Sequence, residues 1–408
     1  MELRPILSAM RRNKVGAVLI GVQIAVTLAI LCNGLFIIEQ RLALSQRPSG
    51  VDEANVFAID NQWVGAPGDV PARQRADIEA LRALPGVVDA YDTNQYPLTN
   101  SGWSESVLLD PDASGSGTLS AALYFGDDHA LNTLGLRLVA GRNFEASEIG
   151  ERQASDRLNT AVILITRALA QALFPKGNAV GQSIYVEGNK QPSLVIGVVE
   201  RLQIPWTGAG GWTEKYFENS MIEPYRFIES ESWYLVRTRP GQLASVMKAA
   251  RSKLLQIDRA RLLDKIEAVG DTRIAAYRDD RGLAVILAVV CASLIGVTAC
   301  GIVGLTSYWV SQRRRQIGIR RALGATRGAI LRYFQTENLL IAAAGALVGI
   351  GLTVAVNLWM VTSFAMPRLA LAWAGLGAVG VLLLGQLAVL WPALRAASVP
   401  PALAVRDA

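Results

Sequence analysis

The sequence predicts a membrane protein with four spanning α-helices and a large α+β domain outside the cytoplasm, placed between the first and second spans. Three observations support this fold class. Four apolar runs are long enough to cross a bilayer, basic residues gather at the flanks of those runs, and residues 41–280 alternate between strand-like and helix-like patterns.

The apolar runs set the predicted spans, because about 20 apolar residues cross a hydrocarbon core of roughly 30 Å. The predicted segments are transmembrane helix 1 at 15–40, transmembrane helix 2 with a stalk at 281–312, transmembrane helix 3 at 336–361 and transmembrane helix 4 at 371–391. The apolar part of the second segment, Gly282–Val310, would be about 43 Å long as one helix. We therefore expect it to project beyond the bilayer.

The charge distribution predicts the orientation. Residues 41–280 contain 25 Lys+Arg and 30 Asp+Glu, whereas the rest of the chain contains 15 and 4. The short basic segments fall on one side if the amphipathic N-terminus (1–14) and the C-terminus (392–408) are both cytoplasmic. Residues 41–280 are then extracytoplasmic, and the basic excess faces membrane lipid rather than nucleic acid.

The outer block starts and ends with matching strand-and-helix units. A strand at 55–60, a helix at 71–84 and a strand at 85–93 form the first, and a strand at 232–240 with a helix at 242–257 forms the second. The stretch between them is richer in strand patterns, at residues 123–128, 138–144, 160–166, 183–188 and 194–201, with one helix at 167–174. We predict one α+β domain split by a second, mainly β lobe.

Two further stretches are candidates for contact. Gly345 and Gly349 have the G-x-x-x-G spacing that lets spanning helices approach closely, either within one bundle or across a dimer. Residues 205–234 are rich in aromatic side chains around glycines and could contact a partner or an amphiphilic ligand. The candidates there are Trp206, Trp212, Tyr216 and Phe217. The alternative is that these rings fill the core between the lobes.

The segment from Arg313 to Leu331 lies between two spans, is rich in arginine and has no acidic residue. As one helix it would place a set of apolar or small residues on one face, namely Ile319, Ala322, Leu323, Thr326 and Ile330. A basic amphipathic helix between two spans is expected on the cytoplasmic surface. The simpler alternative is that its arginines only fix orientation and contact anionic lipid.

The residues offer no catalytic or metal-binding pattern. The single histidine, His129, lies beside two aspartates, and this predicts a solvated turn rather than a metal site. A phosphate-binding loop needs a glycine directly before its lysine, and none of the seven lysines follows a glycine. We therefore expect no enzyme activity, bound cofactor or metal in this chain.

The segment RRRQIGIRRALGATRGAILRYFQTENLLIAAAGALVGI resembles the FtsX-like permease region of MacB-type (type VII) ABC transporters. The outer sequences AGRNF, VILITRALAQALFPKGNAVGQSIYVEG and LVIGVVER are similar to the MacB-type periplasmic core domain. Together the resemblance covers essentially the whole chain. It implies that the outer domain consists of porter-like and Sabre-like lobes and that residues 313–335 form a cytoplasmic coupling helix region.

The resemblance also implies which residues contact the ATPase. Carried over position by position, the coupling set is Arg315, Gln316, Ile317, Gly318, Ile319, Arg320, Arg321, Ala322, Leu323, Gly324 and Ala325. Gln316 stands where the family usually has glutamate, which weakens a charge contact there and suggests one half of an asymmetric permease pair. Glu337 matches the acidic residue that commonly opens the third span.

The function implied is a permease of the bacterial inner membrane that couples ATP hydrolysis to movement of its outer domain, for efflux of a peptide, antibiotic or amphiphile. Because the ATPase domain fused to MacB is not in this sequence, we expect ATP and Mg to act through a separate dimeric ATPase subunit. Other expected partners are a second permease copy or a related permease, a membrane-fusion adaptor and an outer-membrane channel.

Three other interpretations of the function are possible from the sequence. An FtsX-like regulator of a cell-wall hydrolase typically has a much smaller outer block, and a LolC/LolE-like lipoprotein-extracting permease fits the AVGQSI and VIGVV patterns less well. A membrane sensor or enzyme with a large ectodomain is disfavoured because the sequence has no catalytic constellation.

Overall fold

The computed structural model describes residues 14–65, 68–112, 118–156, 160–186, 189–207, 212–364 and 366–398. The predictions for the amphipathic N-terminal segment at 1–13, for the glycines at 208–211 and for the C-terminal end at 399–408 lie outside the described residues.

As predicted, the part of the chain between the first two long helices combines strands with shorter helices. The helices are α1 Lys14–Ser45, α2 Val70–Arg82, α3 Ala130–Leu134, α4 Arg167–Leu173, α5 Trp212–Lys215, α6 Leu243–Ile257, α7 Val269–Ala276, α8 Arg278–Gln312, α9 Arg314–Ala322, α10 Arg327–Phe364 and α11 Leu371–Ala397. The strands are β1 Val56–Trp63, β2 Val87–Thr93, β3 Ser104–Leu108, β4 Leu119–Phe125, β5 Leu138–Gly141, β6 Gly150–Arg152, β7 Val162–Thr166, β8 Ser183–Val186, β9 Ser193–Val199, β10 Ser220–Glu223, β11 Tyr225–Phe227, β12 Glu231–Thr238 and β13 Arg261–Ala268.

The chain divides into two compact units, one of Met1–Ala43 with Asp280–Ala408 and one of Leu44–Asp279. The first contains most of α1 and α8 together with α10 and α11, the four helices that are long and apolar enough to cross a membrane. The predicted fold class, with four spans and an α+β domain between the first two, is confirmed. The third spanning helix begins earlier than the predicted residue 336, because α10 is continuous from Arg327.

Helix α1 is held in the membrane unit by small residues and polar pairs. A Cβ atom on Gly345 of α10 would lie 2.7 Å from the carbonyl oxygen of Gly21, and one on Gly349 would lie 3.0 Å from Ala25 Cα. Thr27 and Thr298 share a hydrogen bond of 2.8 Å between α1 and α8. The G-x-x-x-G spacing therefore serves a close contact between two helices of the same chain.

The outer unit contains a four-stranded antiparallel sheet in the order β13-β1-β12-β2. Helix α2 connects β1 to β2 and helix α6 connects β12 to β13, so each helix joins two parallel strands separated by a third. This is the split β-α-β arrangement of ferredoxin-like folds. The prediction of two matching strand-and-helix units was right, but strand β13 was missed.

A second lobe is inserted between β2 and β12, also as predicted. Its seven-stranded sheet has the order β5-β9-β7-β10-β4-β3-β8, and β8 also pairs with β9. Its core includes Leu123, Ile163, Ile165 and Met221, each fully buried. The buried apolar residues Val56 and Ala58 of β1 belong to one cluster with Tyr124 and Leu164 of this lobe. The two lobes of the outer unit therefore share a hydrophobic core.

Candidate functional site

The basic segment between the second and third spans forms an elbow, defined here as Arg313–Glu337. The prediction of one continuous helix from Arg313 to Leu331 is wrong, because α9 ends at Ala322 and α10 begins at Arg327. Gly324 causes the break with φ of +94°, a left-handed conformation that glycine adopts without steric cost. Thr326 precedes the first residue of α10 and caps the helix, because its Oγ1 accepts a hydrogen bond of 3.2 Å from the amide of Ala329.

The break also changes which residues are buried. Ile317, Gly318 and Ile330 face inward, with Ile317 at 6% and Ile330 at 5% exposure. Ile319 and Leu323, which were predicted on the same apolar face as Ile330, point outward with 49% and 84% of their surface exposed. The predicted apolar face is therefore divided: Ile330 is buried, whereas Ile319 and Leu323 belong to an exposed patch.

A buried ion pair closes the elbow. Arg313 Nη1 donates to Glu337 Oε2 at 3.0 Å and to Oε1 at 3.1 Å, and the two side chains are 14% and 4% exposed. Arg313 follows the last residue of α8, and Glu337 lies within α10. The pair therefore ties the end of the second spanning helix to the third. Sequence reasoning singled out Glu337 but did not predict its contact with Arg313.

The exposed patch contains both apolar and basic side chains. Besides Ile319 and Leu323, the exposed members of the predicted coupling set are Arg315, Gln316, Arg320, Ala322 and Gly324. The guanidinium of Arg320 lies 5.1 Å from the ring centroid of Tyr333 on α10. Such a cation–π contact holds the arginine over α10. The patch offers a partner an exposed leucine with positive charge beside it.

The aromatic segment 205–234 is largely part of the outer unit's core. Trp206 and Phe217 are partly buried and pack against the cluster shared by the two lobes, and Arg47 lies 3.9 Å above the ring of Phe217. Tyr216 is partly buried next to Lys215. The side chain of Trp212 lies outside the described residues. For Trp206 and Phe217 the structure favours the core alternative over a partner contact.

The described residues contain no group of three or more histidine, cysteine or carboxylate side chains that could hold a metal ion. His129 lies in a turn with 37% of its side chain exposed, as predicted, and its Nδ1 lies 2.9 Å from Asp89 Oδ1. Among the described residues, the buried carboxylates Asp77 and Glu223 face Arg261 and Arg152. Burial raises the pKa of both carboxyl groups, and their arginine partners oppose the shift. These groups act as internal ion pairs.

Two family models match the chain. The FtsX-like permease C-terminal model covers residues 286–401, which include the elbow. The MacB-like periplasmic core domain model covers residues 16–253, more than half of the chain. Together they span both units of the structure.

Curated relatives agree with these models. The chain is 27% identical to the macrolide export ATP-binding/permease protein MacB of Chromobacterium violaceum over 61% of its own length and 38% of that protein. It is 26% identical to the uncharacterized ABC transporter permease YknZ of Bacillus subtilis over 69% of this chain and 68% of YknZ. The chain thus spans less than half of the MacB protein it matches.

Solved structures similar to this chain include the extracellular domain of the noncanonic ABC-type transporter YknZ, at 17% identity, a TM-score of 0.32 and coverage of 51% of this chain and 100% of that one. Another is the periplasmic region of MacB from Actinobacillus actinomycetemcomitans, at 16% identity and a TM-score of 0.33. That match covers 57% of this chain and 97% of the MacB region. Since the core-domain model alone matches more than half of the sequence, the chain belongs to the MacB-like ABC transporter permease family.

Proposed function

We propose that this chain is the membrane subunit of a MacB-like transporter and that it passes movement from a separate, dimeric ATPase subunit to its own outer domain. The observation that carries this proposal is the elbow, where Leu323 is 84% exposed beside Arg320 while Ile317 and Ile330 are buried. An exposed apolar side chain with basic neighbours suits an apolar pocket with an acidic rim on the partner.

The anchoring of the elbow supports its role in transmitting force. The Arg313–Glu337 pair and the buried Ile317 fix α9 to the ends of α8 and α10. Helix α8 continues for 35 residues, about 52 Å at 1.5 Å per residue. The boundary between the two units, at Asp279/Asp280, falls inside this helix. Packed helices move as rigid bodies because protein interiors deform little, so displacement of α9 would move α8 as a whole.

We propose the orientation from the distribution of charge and the location from the family. With the arginine-rich elbow in the cytoplasm, both termini would be cytoplasmic and residues 41–280 would lie outside the bacterial inner membrane. Relatives named for macrolide export and for syringafactin export support efflux of an amphiphilic compound. We propose two permease chains for each ATPase dimer, with ATP and Mg bound by the ATPase. A membrane-fusion adaptor and an outer-membrane channel remain expectations from the family resemblance.

The proposal is tested by replacing Leu323 with glutamate in the full-length permease. The permease is purified with a candidate ATPase encoded in the same genome, and co-purification and ATP turnover are measured. We expect Leu323→Glu to reduce co-purification and turnover stimulation at least tenfold, because it puts a charge into the apolar centre of the contact.

A matched control is Leu262→Glu, the same substitution at a leucine that is 54% exposed in the outer domain. It should leave ATPase binding unchanged. Normal ATPase binding and stimulation by an Arg320→Glu/Arg321→Glu/Leu323→Glu variant would show that the elbow is not the coupling site. A reporter fused within residues 311–335 and found outside the cytoplasm would contradict the orientation.

A further inference from the structure

A cavity of about 570 Å³ lies within the outer unit. One wall is the four-stranded sheet, which contributes Asp60 of β1, Trp233 of β12 and Lys265 of β13. The facing wall is the loop at 96–103, and Thr272 of α7 completes the lining. A second cavity, of about 290 Å³, is lined by some of the same residues, including Trp233. Volumes of 300–1,000 Å³ are typical of sites for small molecules.

Three aromatic residues are among those that line the cavity. Tyr96 and Trp233 are in edge-to-face contact with ring centroids 5.1 Å apart, and Trp103 lines the same space. The Tyr96 hydroxyl lies 3.3 Å from Glu267 Oε1 and 3.3 Å from Thr272 Oγ1, which fixes the tyrosine ring. Tyr96 is itself only 1% exposed, so the partly exposed Trp233 and Trp103 are the aromatic side chains that a ligand can reach.

The charge in the cavity is predominantly negative. In the register of the sheet, Asp60 pairs with Trp233 and Gln62 pairs with Glu231, so Asp60 and Glu231 lie on the same face. Lys265 is in an ion pair with Glu267. Among the described residues, no hydrogen bond or ion pair holds the Asp60 carboxylate. Burial, together with Glu231 and then Asp264, raises the pKa of Asp60 to about 6, and Lys265 opposes this rise.

The loop opposite the sheet is held in a costly backbone conformation. Leu98 and Asn100 have φ of +70° and +58°, which is unusual for residues with a side chain. Gln95 fixes the loop, because its Nε2 donates to the carbonyl oxygens of Trp103 and Leu123 while its Oε1 accepts from the Trp103 amide. Gly102 passes so close to Gln95 that a Cβ atom would not fit. Conformations of this kind are frequent at ligand-binding loops.

We propose that this cavity binds a small amphiphilic organic cation, whose positive group lies between Asp60 and Glu231 and whose apolar part lies against Trp233 and Trp103. A cation there would compensate two carboxylates that form no ion pair among the described residues, and aromatic faces attract cations. An anion of the same shape would meet repulsion. A half-buried carboxylate beside aromatic rings is the arrangement that recognises an alkylammonium or arylphosphonium group.

The test uses tetraphenylphosphonium, an apolar cation, and tetraphenylborate, an anion of the same shape. Binding of each to the full-length permease in lipid nanodiscs is measured by equilibrium dialysis at pH 7.5. Because the two probes precipitate together as a salt, each is dialysed in a separate sample, and we expect saturable binding of the cation and none of the anion. The double substitution Asp60→Asn/Glu231→Gln should weaken binding of the cation at least tenfold. Asp112→Asn, at an exposed aspartate outside the cavity, should leave it unchanged.

A second pair of variants tests the cavity without altering its charge. Ala275 of α7 lines the cavity, whereas the adjacent Ile274 is 52% exposed and does not. Ala275→Trp should fill the space and abolish binding of the cation, and Ile274→Trp should not. Equal binding of the two probes, or equal affinity in the wild-type protein and the folded Asp60→Asn/Glu231→Gln and Ala275→Trp variants, would overturn the proposal. Since no ATPase is present, this result is independent of the proposed coupling function.

Discussion

Replacing Arg313 with leucine removes the basic partner of a glutamate that is 4% exposed, Glu337. The two hydrogen bonds of 3.0 and 3.1 Å are lost, and a buried carboxylate remains without compensation. Removal of one partner of a buried ion pair typically costs about 3–5 kcal/mol. Because Arg313 keeps 14% of its side-chain surface exposed, we expect the low end of this range, about 3 kcal/mol.

The measurement is a double-mutant cycle. Arg313→Leu, Glu337→Leu and the double variant are unfolded reversibly by SDS in mixed micelles, and the free energy of unfolding is compared with that of the wild-type protein. When both partners are apolar no buried charge is left, so the double variant should recover much of the loss. We expect an interaction energy of at least about 1.5 kcal/mol between the two positions.

Arg314→Leu is the control, because Arg314 is adjacent and exposed. Its effect on the free energy of unfolding should stay within about 0.5 kcal/mol. The reasoning is refuted if the two single losses simply add, or if Arg314→Leu destabilises the protein as much as Arg313→Leu. Either result would mean that the contact between the second and third spans does not depend on this pair.

Two further predictions concern packing and pH. Gly345→Leu should destabilise the membrane unit by more than about 2 kcal/mol in the same SDS titration, because its Cβ would lie 2.7 Å from the carbonyl oxygen of Gly21. The control is Gly351→Leu, which should be nearly neutral because a Cβ there would have no neighbouring atom within 4 Å. The raised pKa of Asp60, about 6, means that the folded protein binds a proton more tightly there than the unfolded chain. That contribution to stability is complete below pH ~4 and is lost as pH rises through about 6. Asp60→Asn should therefore increase the free energy of unfolding relative to the wild-type protein more at pH 7.5 than at pH 4.5. An equal increase at both pH values would contradict the raised pKa.

The four spans and most strands were predictable from the sequence because their signals are local. A run of about 20 apolar residues partitions into a bilayer whatever it later contacts. Short runs of apolar residues such as β1 and β9 indicate strands, and the structure buries both on two faces over most of their length. The insertion of one lobe into the other was also predictable, since strand-and-helix units recur on both sides of it. The break at Gly324 had a signal too, a glycine following a basic helical turn, but helical periodicity on both sides masked it.

Only the tertiary structure decided the contacts made by polar residues. Nothing near Arg313 in the sequence indicates that it pairs with Glu337, 24 residues later, because the pair depends on where α8 ends beside α10. Strand β13 carries Arg261, Asp264 and Lys265 among its apolar residues and is defined by pairing with β1, about 200 residues earlier. The cavity beside Asp60 likewise exists only where residues from β1, β12, β13 and the loop at 96–103 meet. Apolar patterning selects which segments are buried, whereas the pairing of charges and the shape of a cavity depend on distances between segments that are remote in the chain.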